Sequence, residues 1–301
     1  LMFRGIGVIE VIEEDGFLTE LKVMSPTSGG CSAKTILAQV EWSDGVVRDT
    51  YIKIFDHQDR VKEILNESFG HLCANTVGLE QPEKVALIKI SVDDYAPSAS
   101  DQYASDNGFY YAWASTTIGS ENLKKIYFKN PDNGGLPDEW KNYADFLQSW
   151  EKFPCLISLD DWIGNSDRNP GNIIFINKNR LGIIDHGRLF GVHDWRYEPV
   201  DSNNDLWTNQ ALECFKIFYK PSSPNHIACQ PIFNEAIEHS TVFQIHKDMI
   251  ESQIIDIVKI LEPHHTSAET LVSAFINYCL ERLKTINIRL RTRLGHLGAT
   301  V

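Results

Sequence analysis

The sequence lacks the cysteine pairs and the long apolar runs that mark several classes of protein. Its six cysteines lie far apart and form no CxxC pair, so they offer no clustered thiolates for a structural zinc site. Scattered cysteines are typical of buried thiols in a reducing cytosol. No apolar run approaches the ~18 residues that span a bilayer, and the N-terminus lacks the basic-then-apolar pattern of a signal peptide. These absences predict a cytoplasmic protein that binds no membrane.

Positive charge is also scarce. The chain of 301 residues has 28 Lys+Arg against 41 Asp+Glu, a formal net charge of −13, and a sequence pI of about 5.2. This balance argues against direct binding to nucleic acid, which favours a basic surface. The hydrophobic share of 43% is ordinary for a globular protein and excludes a disordered chain. The length predicts two lobes or domains.

The hydrophobic pattern changes along the chain. Alternating or β-branched runs predict strands at 6–12, 18–23, 35–42, 46–55, 85–90 and 109–114. Asp44-Gly45 between two of these runs predicts a hairpin, and a helical period over 57–78 ends at Gly78. Helices are predicted at 140–153, 156–164, 206–218, 232–237, 241–261 and 268–294, with one hairpin at 172–176 and 181–184. A β-rich half therefore precedes a helical half, which suggests an active site between two lobes.

Two acidic motifs flank the hairpin in the second half. Asp167 and Asn172 form a D-x-x-x-x-N pattern that runs into an apolar strand, and the following strand ends in Asp185-His186-Gly187. Phosphoryl transfer uses such groups: one carboxylate accepts the proton of the nucleophile, while an Asn and a second carboxylate hold Mg²⁺. Each motif alone could be a simple turn. Their joint spacing beside apolar strands favours a kinase site.

The first half offers the groups that would bind the phosphates. Ser28, Gly29, Gly30, Cys31 and Ser32 lie between two predicted strands, where small residues expose backbone N–H groups, although the loop is not a Walker A motif. Lys53 is the lone cation in an apolar strand, and Glu67 on the following helix could pair with it. Each of these features has another interpretation when it is taken singly. The loop could be a plain Gly-Gly turn, Lys53 an edge-strand lysine, and Glu67 part of a solvated helix face.

The ordered motifs resemble those of the HipA-like kinases, bacterial relatives of the phosphoinositide lipid kinases. The resemblance covers most of residues 20–190 and is carried by Ile52-Lys53, Asn66-Glu67, Asn165 to Asn172, and Ile184-Asp185-His186-Gly187. It implies an α+β, bilobal protein-kinase-like fold, with a β-rich N-lobe over residues 1–115 and a helical C-lobe over 116–301. It also implies an ATP- and Mg²⁺-dependent Ser/Thr protein kinase, often the toxin of a toxin–antitoxin pair, with a protein substrate and an antitoxin protein as partners.

Position by position, the resemblance implies that Asp167 is the catalytic base and that Asn172 and Asp185 bind Mg²⁺. Lys53 would contact the α- and β-phosphates of ATP, Glu67 would hold Lys53, and the loop from Ser28 to Ser32 would cover the phosphates. His186 stands where the common kinase triplet has Phe, which this branch of kinases accepts.

Other features have two interpretations each. Trp113, just before the helical half, is predicted to face adenine at the hinge between the lobes, and a place in the strand core is the alternative. Asp160 and Asp161 would cap a helix or support the catalytic loop. The C-terminal helix is basic and would present a solvated face or dock an acidic partner; its cations are Arg282, Lys284, Arg289, Arg291 and Arg293.

The acceptor is open at this point. A lipid or an aminoglycoside-like small molecule could replace the protein hydroxyl, and the same fold could transfer a nucleotidyl group. A pseudokinase that only binds nucleotide is a further alternative, although the joint presence of Lys53, Glu67, Asp167, Asn172 and Asp185 argues against it.

Overall fold

The protein is described by a computed structural model that covers residues 7–24, 33–56, 60–93, 108–129, 134–190, 209–219, 226–263 and 268–295. Its strands are β1 (Ile9–Ile12), β2 (Phe17–Val23), β3 (Ala33–Glu41), β4 (Val47–Phe55), β5 (Val85–Ser91), β6 (Phe109–Thr116), β7 (Glu121–Asn122), β8 (Ile173–Asn177) and β9 (Arg180–Ile183). Its helices are α1 (Arg60–Thr76), α2 (Leu123–Tyr127), α3 (Pro137–Ser149), α4 (Phe153–Ile163), α5 (Gln210–Tyr219), α6 (His226–Leu261) and α7 (Ala268–Arg293).

The N-terminal part is a six-stranded sheet with the order β1-β5-β6-β4-β3-β2. All neighbouring strands are antiparallel except β1 and β5, which are parallel. The predicted hairpin at Asp44-Gly45 is confirmed, because β3 and β4 pair around it and Gly45 adopts a φ of +72°. Since that φ lies in the left-handed region, the turn favours glycine.

The two faces of the sheet pack differently because strand side chains alternate. Ile52 and Ile54 of β4 join a core cluster with Trp42 on one face, whereas Phe55 belongs to the larger cluster that includes α1. Lys53, between the two isoleucines, therefore faces α1. Its cross-strand neighbour on β6 is Trp113.

The second half is helical and is built around α4, α6 and α7, which pack against one another, while α1 packs against α6. The ring of Trp162 in α4 meets that of Phe243 in α6 edge-on, with centroids 5.0 Å apart. Strands β7, β8 and β9 form a small separate sheet. The chain leaves the six-stranded sheet at Thr116, next to the predicted lobe boundary.

Two helix predictions were wrong in their extent. The helix predicted over 140–153 ends at Ser149, and α4 begins at Phe153 with Pro154 in its first turn. Between the two helices, Trp150 has extended backbone angles, φ −79° and ψ 120°. Pro154 lies in a first turn, where a helix accepts proline because the missing N–H has no partner there. The helices predicted over 232–237 and 241–261 are a single helix, α6. The polar stretch between them, predicted as a break, is helical, and its His239 is buried.

Across the described part of the chain, every helix is too short or too polar to cross a membrane.

Candidate active site

Three charged residues come together at the interface between the sheet and the helical half: Lys53, Glu67 and Asp185. Lys53 Nζ lies 2.5 Å from Glu67 Oε1 on α1 and 3.0 Å from Asp185 Oδ1 after β9. The second carboxylate oxygen of Glu67 accepts a hydrogen bond from the backbone N–H of His186 at 2.9 Å. Glu67 therefore links the lysine of the sheet to the segment that carries Asp185. The structure brings together three residues that the sequence placed far apart.

The charges of this group depend on one another. Burial alone would lower the pKa of Lys53, but the carboxylates of Asp185 and Glu67 outweigh it and raise the pKa above its ordinary value. For Asp185, burial acts against ionisation, and the ammonium group of Lys53 overcomes it and lowers the pKa. Lys53 is therefore charged, and Asp185 is ionised, at neutral pH.

A third carboxylate belongs to the same site and was not predicted. Glu63, one turn before Glu67 on α1, is buried; burial, and then the negative charge of Glu67, raise its pKa to about 7. A Cβ added at Gly187 would lie 2.9 Å from Glu63 Oε2 and 3.4 Å from Asp185 Oδ1. Glu63 therefore lies against the Asp185-His186-Gly187 segment.

One face of α1 makes all of these contacts. The Asn66 side chain donates to Gly187 O at 2.7 Å, and a Cβ at Gly70 would come within 2.4 Å of His186 Cβ. Glu63, Asn66, Glu67 and Gly70 are spaced i, i+3, i+4 and i+7, the spacing of one helix face. That spacing is the sequence signal that could have identified Glu63 and Gly70.

The loop between α4 and β8 carries Asp167. Asp167 N donates to Asn165 Oδ1 at 3.0 Å, and Asn169 Nδ2 donates to Asp167 Oδ1 at 3.1 Å. The Asn172 amide donates to Asp167 O at 2.7 Å. These bonds fix the backbone of Asp167 and leave its carboxylate half-buried.

Arg168, next to Asp167, binds this loop to Asp160 in α4. Its guanidinium is fully buried and donates to both carboxylate oxygens of Asp160 at 3.1 Å, and to Ile184 O at 2.9 Å. Asp160 lies in the last turn of α4, not at a helix start, so the prediction that it caps a helix was wrong. Its place opposite Arg168 instead supports the catalytic loop.

Asp161 also lies in the last turn of α4, where it binds the basic C-terminal helix. Arg289 Nη2 lies 2.6 Å from Asp161 Oδ2, Arg293 Nε lies 3.1 Å from Oδ1, and Arg282 Nε donates to the backbone oxygen of Asp161 at 2.9 Å. Arg282 and Arg289 are buried. The solvated-face interpretation was therefore wrong for Arg282 and Arg289, which pair with a buried carboxylate. It is confirmed for Lys284 and Arg291, which are exposed, and docking of an acidic partner stays a prediction.

Asn172 and Asp185 fit a magnesium ion. Ile184 N donates to Asn172 O at 3.1 Å, which places Asp185 beside Asn172 at the open end of the β8–β9 hairpin. Since the Asn172 nitrogen is used by Asp167 O, its side-chain oxygen is the atom left for a ligand. An amide oxygen and a carboxylate are hard ligands of the kind that Mg²⁺ prefers.

The other predicted residues are the loop from Ser28 to Ser32 and Trp113. Ser28, Gly29, Gly30, Cys31 and Ser32 lie outside the described residues. Trp113 lies within β6, 4% exposed, with its ring 6.2 Å from that of His71 on α1. It packs in the strand core beside Lys53, and its contact with adenine stays a prediction.

One further cluster has the chemistry of a metal site. Cys155, Glu235 and His239 bring ligand-type atoms within 4.8 Å of one another. However, Trp162 Nε1, which can only donate, donates to His239 Nδ1 at 3.2 Å. A neutral imidazole that accepts at Nδ1 carries its proton on Nε2, the atom that faces Cys155 and Glu235. The hydrogen bonds therefore favour a polar packing cluster over a metal centre.

Comparison with known proteins identifies the fold. No protein-family model matches the chain, and a search of curated proteins finds no match. Among solved structures, the chain is similar to a Helicobacter pylori proinflammatory kinase, CtkA, with 13% identity and a TM-score of 0.51 over 96% of this chain and 100% of that chain. Together with the sheet and the helical half described above, this similarity shows that the chain has a kinase-like bilobal fold.

Proposed function

We propose that the protein is a kinase that transfers the γ-phosphoryl group of ATP with the help of Mg²⁺. The contact of Lys53 with Glu67 and Asp185 carries this proposal, because it joins the two halves of the chain at one charged site. Phosphoryl transfer depends on positioning and on charge stabilisation, and the kinase-like fold supports the same reaction.

In this mechanism Lys53 binds the α- and β-phosphates, and Glu67 keeps the ammonium group in place. The Asp167 carboxylate orients the acceptor hydroxyl and takes its proton as the hydroxyl oxygen bonds to the γ-phosphorus. The bond from that phosphorus to the β–γ bridging oxygen breaks, and ADP leaves. Asn172 and Asp185 would hold the Mg²⁺, which would supply positive charge to offset that of the phosphates. The loop from Ser28 to Ser32 is proposed to cover the phosphates.

The finer assignment is a HipA-like Ser/Thr protein kinase that acts in the cytoplasm. It is supported by the ordered motifs around Lys53, Glu67, Asp167 and Asp185, which resemble that family. In this proposal the acceptor is a Ser or Thr hydroxyl of a protein, and an antitoxin protein is a partner if the chain is the toxin of such a pair.

The decisive experiment uses [γ-³²P]ATP with Mg²⁺, the purified chain and dephosphorylated casein as a generic acceptor. Asp167→Asn should lower transfer by about 10²- to 10⁴-fold, the range that a positioned acid–base group contributes. Asp185→Asn should also abolish most of the transfer, because it removes a carboxylate ligand of the Mg²⁺. Asp256→Asn, an exposed position on α6, is the matched control and should transfer like the wild type. Full activity in either site variant would overturn the mechanism.

The acceptor is tested separately in the same assay. Label on phosphoserine or phosphothreonine supports a protein kinase, while label in phosphatidylinositol vesicles or in kanamycin would identify a lipid or small-molecule kinase. Transfer from [α-³²P]ATP would indicate nucleotidyl transfer instead. A thermal shift with ATP and Mg²⁺ in the absence of any transfer would identify a pseudokinase.

A further inference from the structure

His186, which follows the proposed metal ligand Asp185, is held between α1 and the catalytic loop. Its side chain is buried, and α1 comes so close that only glycine fits at position 70, since a Cβ there would meet His186 Cβ at 2.4 Å. The ring has a polar partner at each of its two nitrogens. A phenylalanine, the residue of the common kinase triplet, would fill the same space without these partners.

The partners determine which nitrogen carries the proton. Gln81 Nε2 donates to His71 O at 3.0 Å, so the other end of the amide, Oε1, faces His186 Nε2 at 3.0 Å. Because Oε1 can only accept, His186 Nε2 must be the donor. His186 Nδ1 then has a free lone pair, and it faces Arg168 Nη2, a donor, at 3.5 Å.

This neutral ring completes a continuous polar connection through the site. Gln81 is bound to the last turns of α1 through His71 O, and Arg168 is bound to Asp160 and stands next to Asp167. The backbone N–H of His186 also donates to Glu67. The same residue thus contacts the helix that holds Lys53 in place and the loop that carries the proposed base.

We propose that His186 is a positioning residue whose neutral imidazole, with its proton on Nε2, couples the placement of α1 to that of the catalytic loop through Gln81 and Arg168. The catalytic part of this proposal rests on the proposed kinase function. The coupling itself does not, so it is tested by measurements that need no activity.

The tautomer can be read directly by NMR of the whole chain labelled with [¹⁵N]histidine. The signals of His186 are those that disappear in His186→Phe. We expect a protonated Nε2 and an unprotonated Nδ1, a pattern that burial of the ring alone would not impose. A proton on Nδ1, or a charged imidazolium at pH 7, would overturn the proposal.

The coupling is tested by amide hydrogen exchange and by kinetics. In His186→Phe and in Gln81→Leu, the rate of amide exchange should rise both in α1 and in residues 164–172. The exchange rates of the double variant should be only slightly higher than those of His186→Phe, because both substitutions act on one connection. His71→Phe is the matched control: the His71 ring bonds Asn75 within α1 at 2.9 Å, so exchange in residues 164–172 should stay as in the wild type. A rise confined to one element would overturn the coupling.

In the kinase assay, His186→Phe should lower kcat by about tenfold or more, the loss expected for buried bonds that align a catalytic group. KM for ATP should also rise, because the variant loosens α1, whose Glu67 keeps Lys53 in place for the phosphates. If the wild type transfers no phosphate, the proposed function fails, while the NMR and exchange results still decide the coupling.

Discussion

Replacing Glu63 with glutamine should stabilise the protein, and the gain should grow with pH. The Glu63 side chain is 3% exposed, and burial, followed by the charge of Glu67, raises its pKa from 4.5 to about 7. A carboxyl group with a raised pKa stabilises the fold while it is protonated. That contribution is fully present below about pH 4.5 and is lost as the pH rises through 7. A rise from 4.5 to about 7 corresponds to roughly 3 kcal/mol of unfolding free energy.

Urea unfolding followed by circular dichroism measures this effect at pH 5, 6, 7 and 8, with EDTA present so that no divalent cation offsets the charge. The unfolding free energy of Glu63→Gln minus that of the wild type should increase by roughly 3 kcal/mol over this range and then level off. Glu83→Gln removes the same charge at an exposed position, where solvent screens it, and serves as the control. A difference between Glu63→Gln and the wild type that stays constant from pH 5 to pH 8 would refute the reasoning.

Three further substitutions test other parts of the structure. Asp161→Asn should lower the unfolding free energy by about 3–5 kcal/mol, because it leaves buried arginines without their carboxylate; a urea-measured loss below about 1 kcal/mol would contradict the ion pairs. Gly70→Ala should reduce phosphoryl transfer by about tenfold while the circular dichroism spectrum is retained, since the added Cβ pushes α1 away from His186. Gly164→Ala should cost roughly 1 kcal/mol in urea unfolding, because Gly164 ends α4 with a φ of +68°, and an unchanged midpoint would argue against that conformation.

The positions of Asn172 and Asp185 beside one hairpin could be predicted because each lies at the end of a strand that the sequence encodes locally. Asn172 precedes β8 and Asp185 follows β9, and both strands read as apolar runs around a polar turn. Pairing of two adjacent strands then places the ends side by side. Local patterns also predicted Lys53 in a strand and Glu67 on the next helix, and the structure brings the two side chains into contact.

The partners of Asp160 and Asp161 could not be predicted, because they depend on packing between distant elements. Asp161 meets Arg289 across 128 positions of the chain, and no local pattern records which of many arginines a carboxylate will face. Both carboxylates lie at a helix C-terminus, where the helix dipole disfavours negative charge. Arginines brought there by α7 and by the loop that carries Asp167 offset this effect, and the side chains of Asn165 and Asn209 also donate to Asp160.

Because the contacts of α1 with the Asp185 segment all lie on one helix face, they form and break together. A rotation of α1 by a single residue would turn that face by about 100°. Such a rotation would remove Glu67 from Lys53, Asn66 from Gly187 O and Gly70 from His186 at once. A movement of α1 would therefore change the positions of Lys53 and of the proposed metal ligand Asp185 together. A partner that moves α1 would control both.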